Sequence, residues 1–323
     1  MSSDYVYTDI GGYRAVVLRL DNDVFNSEII VASEFGANLL KFIYNGKTVI
    51  DYSEDALKRQ DFTGTPILFP TPNRVLNAEV VYNNKTYKQQ KNGEKRVCHG
   101  LVYDEPFEVC KIKCGDYSAS IELALDINKN TAFFEAFPFE CRLHIIYLID
   151  EYGLTVKYIL KNLSDCGFQF GFGIHPYFNY NKEDRVLVPS FVLPELKNNY
   201  PTGEIVNTET MFSGISTTGA AISDLSVDND FIRKEQGAVY ILNGESVRIE
   251  IKPSEQFRHF VLYRNKSDNF ICIEPQTCCI NAHNLAAAGF KYADLLNIMP
   301  GEVSRGYIKI NVSDTKNISC VNS

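Results

Sequence analysis

Short alternating stretches closed by tight-turn signals constrain the fold of this chain more than any other feature. Apolar and polar residues alternate over runs of β-branched and aromatic residues, and turn-forming residues end each run. Asn-Gly pairs are the strongest short-range signal for a hairpin, because both residues readily adopt positive φ. The clearest turns are predicted at residues 45–46, 83–84, 151–153 and 243–244. We therefore expect antiparallel strands joined by hairpins.

Helical periodicity is scarce by comparison. Residues 281–296 are the one reasonable helix candidate, and residues 53–60 are predicted to form a turn or two of helix. Strands do not alternate with helices, no Pro/Ser/Gly-rich linker divides the chain, and no period of 20 to 50 residues recurs. The sequence thus predicts an all-β fold with few short helices, in which residues 1–323 form a single large antiparallel β-sandwich domain.

The net charge of the chain disfavours some classes of partner. The cysteine pattern and the first residues bear on where the protein is located. The formal charge of −8 is spread along the chain without a basic patch, so nucleic acid and anionic membranes are poor candidate partners. Nine cysteines lack paired CxxC units, which favours reduced thiols and a cytoplasmic location. The first twenty residues show no signal-peptide pattern, and no apolar run approaches the length of a membrane span.

The segment "FQFGFGIHPYFNY" at residues 168–180 alternates like a strand but is nearly bare on one face. Two glycines on one face of a strand mark a place where another backbone or a ligand comes close. The predicted apolar face carries Phe168, Phe170, Phe172 and Ile174, and the other carries Gln169, Gly171, Gly173 and His175. The histidine at the edge of a cleared face is a candidate functional residue.

A carboxylate that could pair with this histidine ends the strand in "NFICIEPQT". The strand is apolar on both faces until Glu274. Partial desolvation would raise the pKa of this carboxyl group toward that of a useful general base. The alternative is a surface glutamate just past the strand.

The other four histidines have different contexts. His99 precedes Gly100, where the backbone can turn tightly and hold the imidazole at a strand end. His144 and His259 lie inside ordinary strands, where a structural or solvent-facing histidine is the simpler interpretation. His283 stands near a predicted helix start, and a capping or surface position is favoured over chemistry.

Arg74 and two aspartates complete the polar candidates. Arg74 lies in a proline-rich loop, and a rigidly presented guanidinium suits a hydroxyl- or carboxylate-rich ligand, although a plain surface arginine is the alternative. Asp228 and Asp230 precede an apolar residue in a pattern that is also typical of a turn. Metal-ligand spacings and the glycine patterns of nucleotide and dinucleotide sites are absent, so we expect neither a metal nor a cofactor.

In their order along the chain, these residues resemble the aldose 1-epimerase family, whose fold is galactose mutarotase-like. The resemblance runs over residues 30–310, and "HPYF" and "CIEP" are its more specific parts. Its motifs are "NRV" at 73–75, "HG" at 99–100, "GIHPYF" at 173–178, "DNDF" at 228–231, "CIEP" at 272–275 and "IMPGE" at 298–302.

The resemblance implies a β-supersandwich with an open sugar cleft and a set of roles. Glu274 would be the general base and His175 the general acid, while His99 and Arg74 would hold the sugar. Asp228 matches the sugar-binding D-x-x-F pattern, with Asp230 as the alternative. The implied activity is interconversion of the α and β anomers of an aldohexose, and the cleared glycine face would let a pyranose ring lie on the sheet.

Two residues depart from the family pattern, and two other functions are open. Gln276 stands where many relatives with "CIEP" carry tryptophan, which removes a stacking surface, and Asn229 stands where histidine is common.

A non-catalytic sugar-binding or sensing protein on the same scaffold is the main alternative. A glycoside hydrolase is less favoured, because hydrolysis generally needs two carboxylates and only Glu274 has a convincing setting.

Overall fold

Strands account for most of the computed structural model, which describes residues 2–206, 212, 214–242 and 247–314. In chain order the strands are β1 (Ser2–Ile10), β2 (Tyr13–Asp21), β3 (Asn26–Ala32), β4 (Asn38–Tyr44), β5 (Lys47–Ile50), β6 (Ile67–Leu68), β7 (Glu79–Tyr82), β8 (Lys85–Lys88), β9 (Gln90–Lys91), β10 (Glu94–Lys95), β11 (Glu108–Cys114), β12 (Ser118–Ile127), β13 (Cys141–Asp150), β14 (Gly153–Asn162), β15 (Phe168–Phe170), β16 (Gly173–Ile174), β17 (Tyr177–Asn179), β18 (Arg185–Leu187), β19 (Phe191–Lys197), β20 (Tyr200–Val206), β21 (Ala220–Ala221), β22 (Val227–Arg233), β23 (Val239–Leu242), β24 (Val247–Pro253), β25 (His259–Arg264), β26 (Phe270–Gln276), β27 (Leu296–Ile298) and β28 (Val303–Asp314). The α-helices are α1 (Glu54–Lys58) and α2 (Ala282–Ala287), and short 3-10 turns span Leu76–Ala78, Ile222–Asp224 and Lys291–Ala293. In these ranges no helix has the length and hydrophobicity that crossing a membrane requires.

The strands form two large sheets. The first contains 13 strands, with β1-β2-β3-β4-β5-β17-β26-β25-β22-β19-β20 as its main path and β16 and β6 beside it. The second contains nine strands in the order β11-β12-β13-β14-β28-β24-β23-β18-β21. Neighbouring strands pair in antiparallel fashion in both sheets. The predicted all-β, antiparallel fold is confirmed, as is the scarcity of helix.

Three of the predicted turns join neighbouring strands. Asn45-Gly46 connects β4 to β5 with positive φ at both residues, and Asn83-Asn84 connects β7 to β8 in the same way. The turn predicted at residues 151–153 joins β13 to β14, with Gly153 opening the second strand. The fourth turn, Asn243-Gly244, lies outside the described residues.

The hydrophobic core lies between the two sheets. Residues along β13 alternate between buried and half-buried, as expected for a strand with one face on the core. Tyr147 on β13 is fully buried, and its hydroxyl donates a hydrogen bond of 2.7 Å to the carbonyl oxygen of Ala37 beside β4. This contact ties the second sheet to the first.

Four adjacent strands of the first sheet carry the candidate site. β17, β26, β25 and β22 are neighbours in that order. His175 lies two residues before β17, Glu274 lies in β26 and Asp228 lies in β22. His175 and Glu274, which are 99 positions apart in the sequence, therefore meet because β17, which follows His175, pairs with β26.

The segment at residues 168–180 is three short strands rather than one. β15 pairs with β27, β16 pairs with β6 and β26, and β17 pairs with β26 and β5. The four apolar residues predicted to face the core are all buried, at Phe168, Phe170, Phe172 and Ile174. The core prediction holds although the strand is interrupted.

The glycine face of this segment is filled by protein, so the expectation that a pyranose ring lies on it is wrong. A Cβ atom at Gly171 would lie 2.4 Å from the sulfur of Cys278 and 2.6 Å from Cδ of Pro72. A Cβ atom at Gly173 would lie 2.9 Å from Cγ of Gln276. The glycines serve close approach between chain segments, which is the other use of glycine in a strand.

A buried ionic network braces β22 against β25. Nδ1 of His259 lies 3.0 Å from Oδ1 of Asp230, and its Nε2 lies 3.1 Å from Oδ2 of Asp294. Asp294 also accepts a hydrogen bond of 2.8 Å from Arg258. Burial alone would lower the pKa of His259, but the two carboxylates outweigh burial and raise it to about 9.

The cysteines agree with the reduced state expected from their spacing. All eight cysteines within the described residues are free thiols, and Cys320 lies outside those residues. Cys272 and Cys278 are buried, and burial raises the pKa of both thiols. A protonated, inaccessible thiol behaves as a small apolar core residue.

Replacement of Gly171 by alanine should destabilise the protein, because the added methyl group overlaps Pro72 and Cys278. We expect the free energy of unfolding, measured in urea, to fall by about 1–3 kcal/mol. The control is Gly115→Ala at an exposed strand end, which should cost less than about 1 kcal/mol. Equal effects of the two substitutions would contradict the close approach.

Stability should fall as the pH rises through the range in which His259 loses its proton. Its folded pKa of about 9 exceeds the value near 6.5 of an unfolded histidine, so its stabilisation is complete below about pH 6.5 and is lost toward pH 9. We expect the free energy of unfolding to drop by about 2–3 kcal/mol between pH 6.5 and pH 9. In the His259→Asn variant the drop over this range should be smaller by about that amount; an unchanged slope would refute the network's role.

Candidate active site

A carboxyl group and an imidazole meet at the bottom of a cavity of about 240 Å³. Oε1 of Glu274 lies 3.2 Å from Nε2 of His175. Glu274 is 2% exposed and His175 is 6% exposed, so solvent scarcely reaches either side chain. The structure thus brings together the two residues that the sequence singled out as base and acid.

Burial moves the pKa values of both groups toward their neutral forms. Burial, followed by the nearby charge of Asp228, raises the pKa of Glu274 well above that of an ordinary glutamate. Burial lowers the pKa of His175 to about 4. The partial desolvation predicted for Glu274 is therefore nearly complete, and the alternative of a surface glutamate is wrong.

Gln276 holds the second carboxyl oxygen of Glu274. Its Nε2 donates a hydrogen bond of 3.0 Å to Oε2 of Glu274, and the residue is wholly buried. This bond favours the ionised carboxylate and so opposes the effect of burial on its pKa. The sequence pointed only to a lost stacking surface at this position, whereas the structure shows a contact with the carboxyl group itself.

Arg74 and Asp228 form a charged pair on the cavity wall. Nη2 of Arg74 donates a hydrogen bond of 2.6 Å to Oδ2 of Asp228. Both side chains are about one-third exposed, so they can also reach a ligand in the cavity. The proline-rich loop and β22, which are far apart in the sequence, therefore meet at this wall.

Asp228 faces the cavity and Asp230 does not. The two residues lie on the same face of β22, but Asp230 is 1% exposed and both of its oxygens lie within 3.1 Å of Nδ1 of His259. Its hydrogen-bonding capacity is thus used inside the protein. Asn229, which departs from the family pattern, points to the other face of the strand.

His99 is held at the cavity by an unusual backbone conformation. Its φ is 62° and that of Gly100 is 77°, so the chain turns sharply as predicted. At Gly100 a Cβ atom would lie 2.2 Å from the carbonyl oxygen of Phe69, so only glycine fits there. The His99 ring meets that of His175 edge to face at 5.0 Å, and burial, then the proximity of His175, lowers its pKa well below the ordinary value.

The two remaining histidines lie outside the cavity. His144 pairs with Glu122 at 2.7 Å across β12 and β13, as an ordinary strand histidine would. His283 is 3% exposed and its Nε2 donates a hydrogen bond of 3.4 Å to the carbonyl oxygen of Gln169. The expectation that His283 caps a helix or lies at the surface is wrong, because α2 packs its first turn against the core.

Aromatic side chains form much of the cavity wall, and sequence reasoning missed them. The Phe62 ring is nearly parallel to that of His175 at 6.4 Å, and the Tyr177 ring stacks on His175 at 5.0 Å. Tyr177 lies within the recognised motif "GIHPYF" and Phe270 lies just before "CIEP", but Phe62 gave no sequence signal. The further lining residues are Phe62, Asn73, Cys98, Tyr177, Tyr263 and Phe270.

A half-buried ionic cluster behind the cavity supports Phe62. Arg96 pairs with Asp104 at 2.8 Å and lies over the ring of Tyr103 at 5.1 Å. Tyr103 in turn contacts Phe62 at 4.8 Å between ring centroids. The position of Phe62 is therefore fixed from behind by charged residues that do not enter the cavity.

Solved structures with the same fold come from several organisms. A galactose mutarotase-like protein from Clostridium acetobutylicum is 21% identical, with a TM-score of 0.85 over 97% of this chain and 99% of that one. A galactose mutarotase related enzyme from Lactobacillus acidophilus is 18% identical, with a TM-score of 0.71 over 92% and 97%. An aldose epimerase homologue from C. elegans is 17% identical, with a TM-score of 0.72 over 93% and 99%. At these identities the likeness establishes the galactose mutarotase-like fold.

Comparison of the sequence with protein families is more specific than the comparison of folds. No curated protein matches it. The family model described as aldose 1-epimerase matches residues 17–306, which is most of the chain and agrees with the range over which the motifs resemble that family. The chain belongs to the aldose 1-epimerase family.

Proposed function

We propose that this protein interconverts the α and β anomers of an aldohexose without a cofactor. The observation that carries the proposal is the contact of 3.2 Å between Glu274 and His175 at the bottom of a cavity. A carboxyl group and an imidazole side by side can remove one proton and deliver another across a single sugar ring. Membership of the aldose 1-epimerase family supports the same reaction.

The chemistry requires two proton transfers and one bond cleavage. The Glu274 carboxylate takes the proton from the C1 hydroxyl group while His175 protonates the ring oxygen. The bond between C1 and the ring oxygen breaks, and C1 becomes the aldehyde carbon of the open chain. Rotation about the C1–C2 bond and closure by the reverse transfers then yield either anomer.

One proton shared by the pair is enough for a full cycle. With Glu274 protonated and His175 neutral, transfer of the proton across 3.2 Å gives a carboxylate and an imidazolium, which are the base and the acid that ring opening needs. Ring opening consumes this form and regenerates the neutral pair. Nδ1 of His175 has no hydrogen-bond partner within the described residues, so no carboxylate binds this nitrogen as Asp230 binds His259. Burial outweighs the smaller effect of Asp228, which raises the pKa of His175.

The surrounding polar residues would hold the sugar. The Arg74–Asp228 pair presents donors and acceptors at 27% and 37% exposure, a pattern that suits neighbouring hydroxyl groups. His99, which also lines the cavity, adds a ring nitrogen, and its lowered pKa keeps it neutral at physiological pH. We assign these three residues to substrate binding and Glu274 and His175 to catalysis.

Replacement of Glu274 by glutamine should separate activity from stability. We expect anomer interconversion of freshly dissolved α-glucose or α-galactose, followed by polarimetry, to fall by about 100-fold or more. The free energy of unfolding at pH 7.5 should rise, because a carboxyl group with a raised folded pKa destabilises the folded state at that pH.

The His175→Ala variant tests the role of His175 as the general acid. It should lower kcat far more than it raises KM. Calorimetric sugar binding retained by both variants would show that each loss is catalytic. Binding by the unmodified protein without acceleration over buffer would instead identify the non-catalytic sugar-binding protein. Near-full activity of Glu274→Gln would remove the base assignment.

The activity should vary little between pH 7 and pH 5. The acid limb reflects addition of a second proton to the pair, and the His175 pKa of about 4 places this limb below that range. We expect kcat/KM, after subtraction of the spontaneous rate at each pH, to change by less than about threefold between these values. A tenfold change centred near pH 6.5 would show that His175 titrates like an exposed histidine and would contradict the shared-proton pair.

A further inference from the structure

The first strand, β1, is a free edge of the 13-stranded sheet. Within the described residues it pairs only with β2, in a register that is continuous over Ser2–Ile10. Tyr5, Val6 and Tyr7 are 46%, 44% and 55% exposed, and among the exposed large hydrophobic residues of the described ranges only these three are neighbours in sequence. An edge strand presents unpaired backbone N–H and C=O groups, so β1 is able to pair with a further strand.

The other three edges of the two large sheets carry features that prevent such pairing. β20 contains Pro201 and Gly203, and its pairing with β19 is irregular. β11 contains Lys111 and Lys113, and its register with β12 shifts between Val109 and Lys111. β21 is only two residues long. Proline, lysine, bulges and short length are the usual protection of an edge strand, and β1 has none of them.

The tyrosines of β1 extend the core face of the sheet to its edge. Tyr5 and Tyr7 lie opposite Leu18 and Val16 of β2, which are fully buried in the core. The two rings meet edge to face, with 5.9 Å between their centroids. A strand paired with β1 would place its own side chains beside these rings and remove apolar surface from water.

The sequence of β1, "SSDYVYTDI", is nearly symmetric about Val6. In an antiparallel pair of two copies that is centred on Val6, each residue faces the residue at the mirror position, and facing side chains project from the same face of the sheet. Tyr5 of each copy then faces Tyr7 of the other, and the two Val6 side chains face each other. The exposed apolar residues of β1 are therefore complementary to themselves.

The same register places no carboxylate opposite another. Asp4 faces Thr8 of the second copy, and Asp9 faces Ser3, so each carboxylate meets a hydroxyl group that can donate a hydrogen bond. Centring the pair on either tyrosine would instead place an aspartate opposite Val6 or opposite a tyrosine ring. The polar residues thus favour the register that the apolar residues favour.

We propose that two copies of this chain associate through their β1 strands, in antiparallel register about a two-fold axis at Val6. The two 13-stranded sheets then form one continuous sheet, and both copies contribute the same surface, as in an isologous interface. The inference does not rest on the proposed function, because no residue of β1 lines the cavity that contains Glu274 and His175.

Sedimentation velocity of the tag-free protein tests the association. A monomer–dimer equilibrium should appear between about 1 µM and 100 µM, as expected of a small interface. Val6→Lys places two ammonium groups opposite each other at the axis and should weaken the association by about tenfold or more. The matched control is Ile205→Lys, at a 42% exposed residue of the opposite edge strand β20, which should leave the association unchanged. A monomer throughout this concentration range, or equal effects of the two substitutions, would overturn the proposal.

Cysteine cross-linking tests the register with a milder substitution. Val6→Cys places one thiol of each copy at the axis, where facing Cα atoms lie about 4.5–5.5 Å apart, a spacing that a disulfide spans. Oxidation of the two thiols by diamide should give a covalent dimer on a non-reducing gel. Thr8→Cys is the matched control on the same face of β1, because Thr8 faces Asp4 rather than itself, and it should cross-link no more than the unmodified protein, whose own exposed thiols set the background. Equal cross-linking by the two variants, or none above background in Val6→Cys, would overturn the proposed register.

Discussion

The arrangement of the candidate active site depends on the burial of one carboxyl group, that of Glu274. Glu274 lies in a strand that is apolar on both faces, and burial removes the solvation that would hold it ionised at neutral pH. The same burial lowers the pKa of His175, so the neutral forms of both groups are favoured over an ion pair. Their neighbours follow from this constraint: Gln276 steadies the second carboxyl oxygen, and Arg74 with Asp228 keeps the remaining charge paired at the wall.

Local rules recovered much of this arrangement from the sequence. Hairpin turns and strand-like runs predicted the antiparallel fold, since turn chemistry and side-chain alternation act over a few residues. His99 was recognised because a glycine follows it, and Glu274 because its strand is apolar on both sides. The prediction of one domain over residues 1–323 stays a prediction. So do the roles assigned to the site residues, which are Glu274, His175, Arg74, His99 and Asp228.

Features that depend on long-range packing could not be read from the chain. The glycine face at Gly171 and Gly173 looked like room for a ligand, because a sequence shows that a side chain is missing but not what fills the space. The family pattern favoured Asp228 and left Asp230 as the alternative, and the contact of Asp230 with the distant His259 separates the two. Phe62 belongs to the site through contacts with residues about 40 and 110 positions away, which no local pattern encodes.

Several of the residues that surround Glu274 and His175 come from a different part of the fold, although Asp228 lies in β22 of the same sheet, and this has an evolutionary consequence. Glu274 belongs to the paired strands of the large sheet, and His175 lies beside them, whereas Phe62, Arg74 and His99 lie in the chain between β5 and β11. Under the proposed function, mutations in that connecting region would alter which ligand is bound while the pair of Glu274 and His175 remains intact. A lineage that carries this fold could then exchange one sugar for another by drift in its loops, and retain the same reaction throughout.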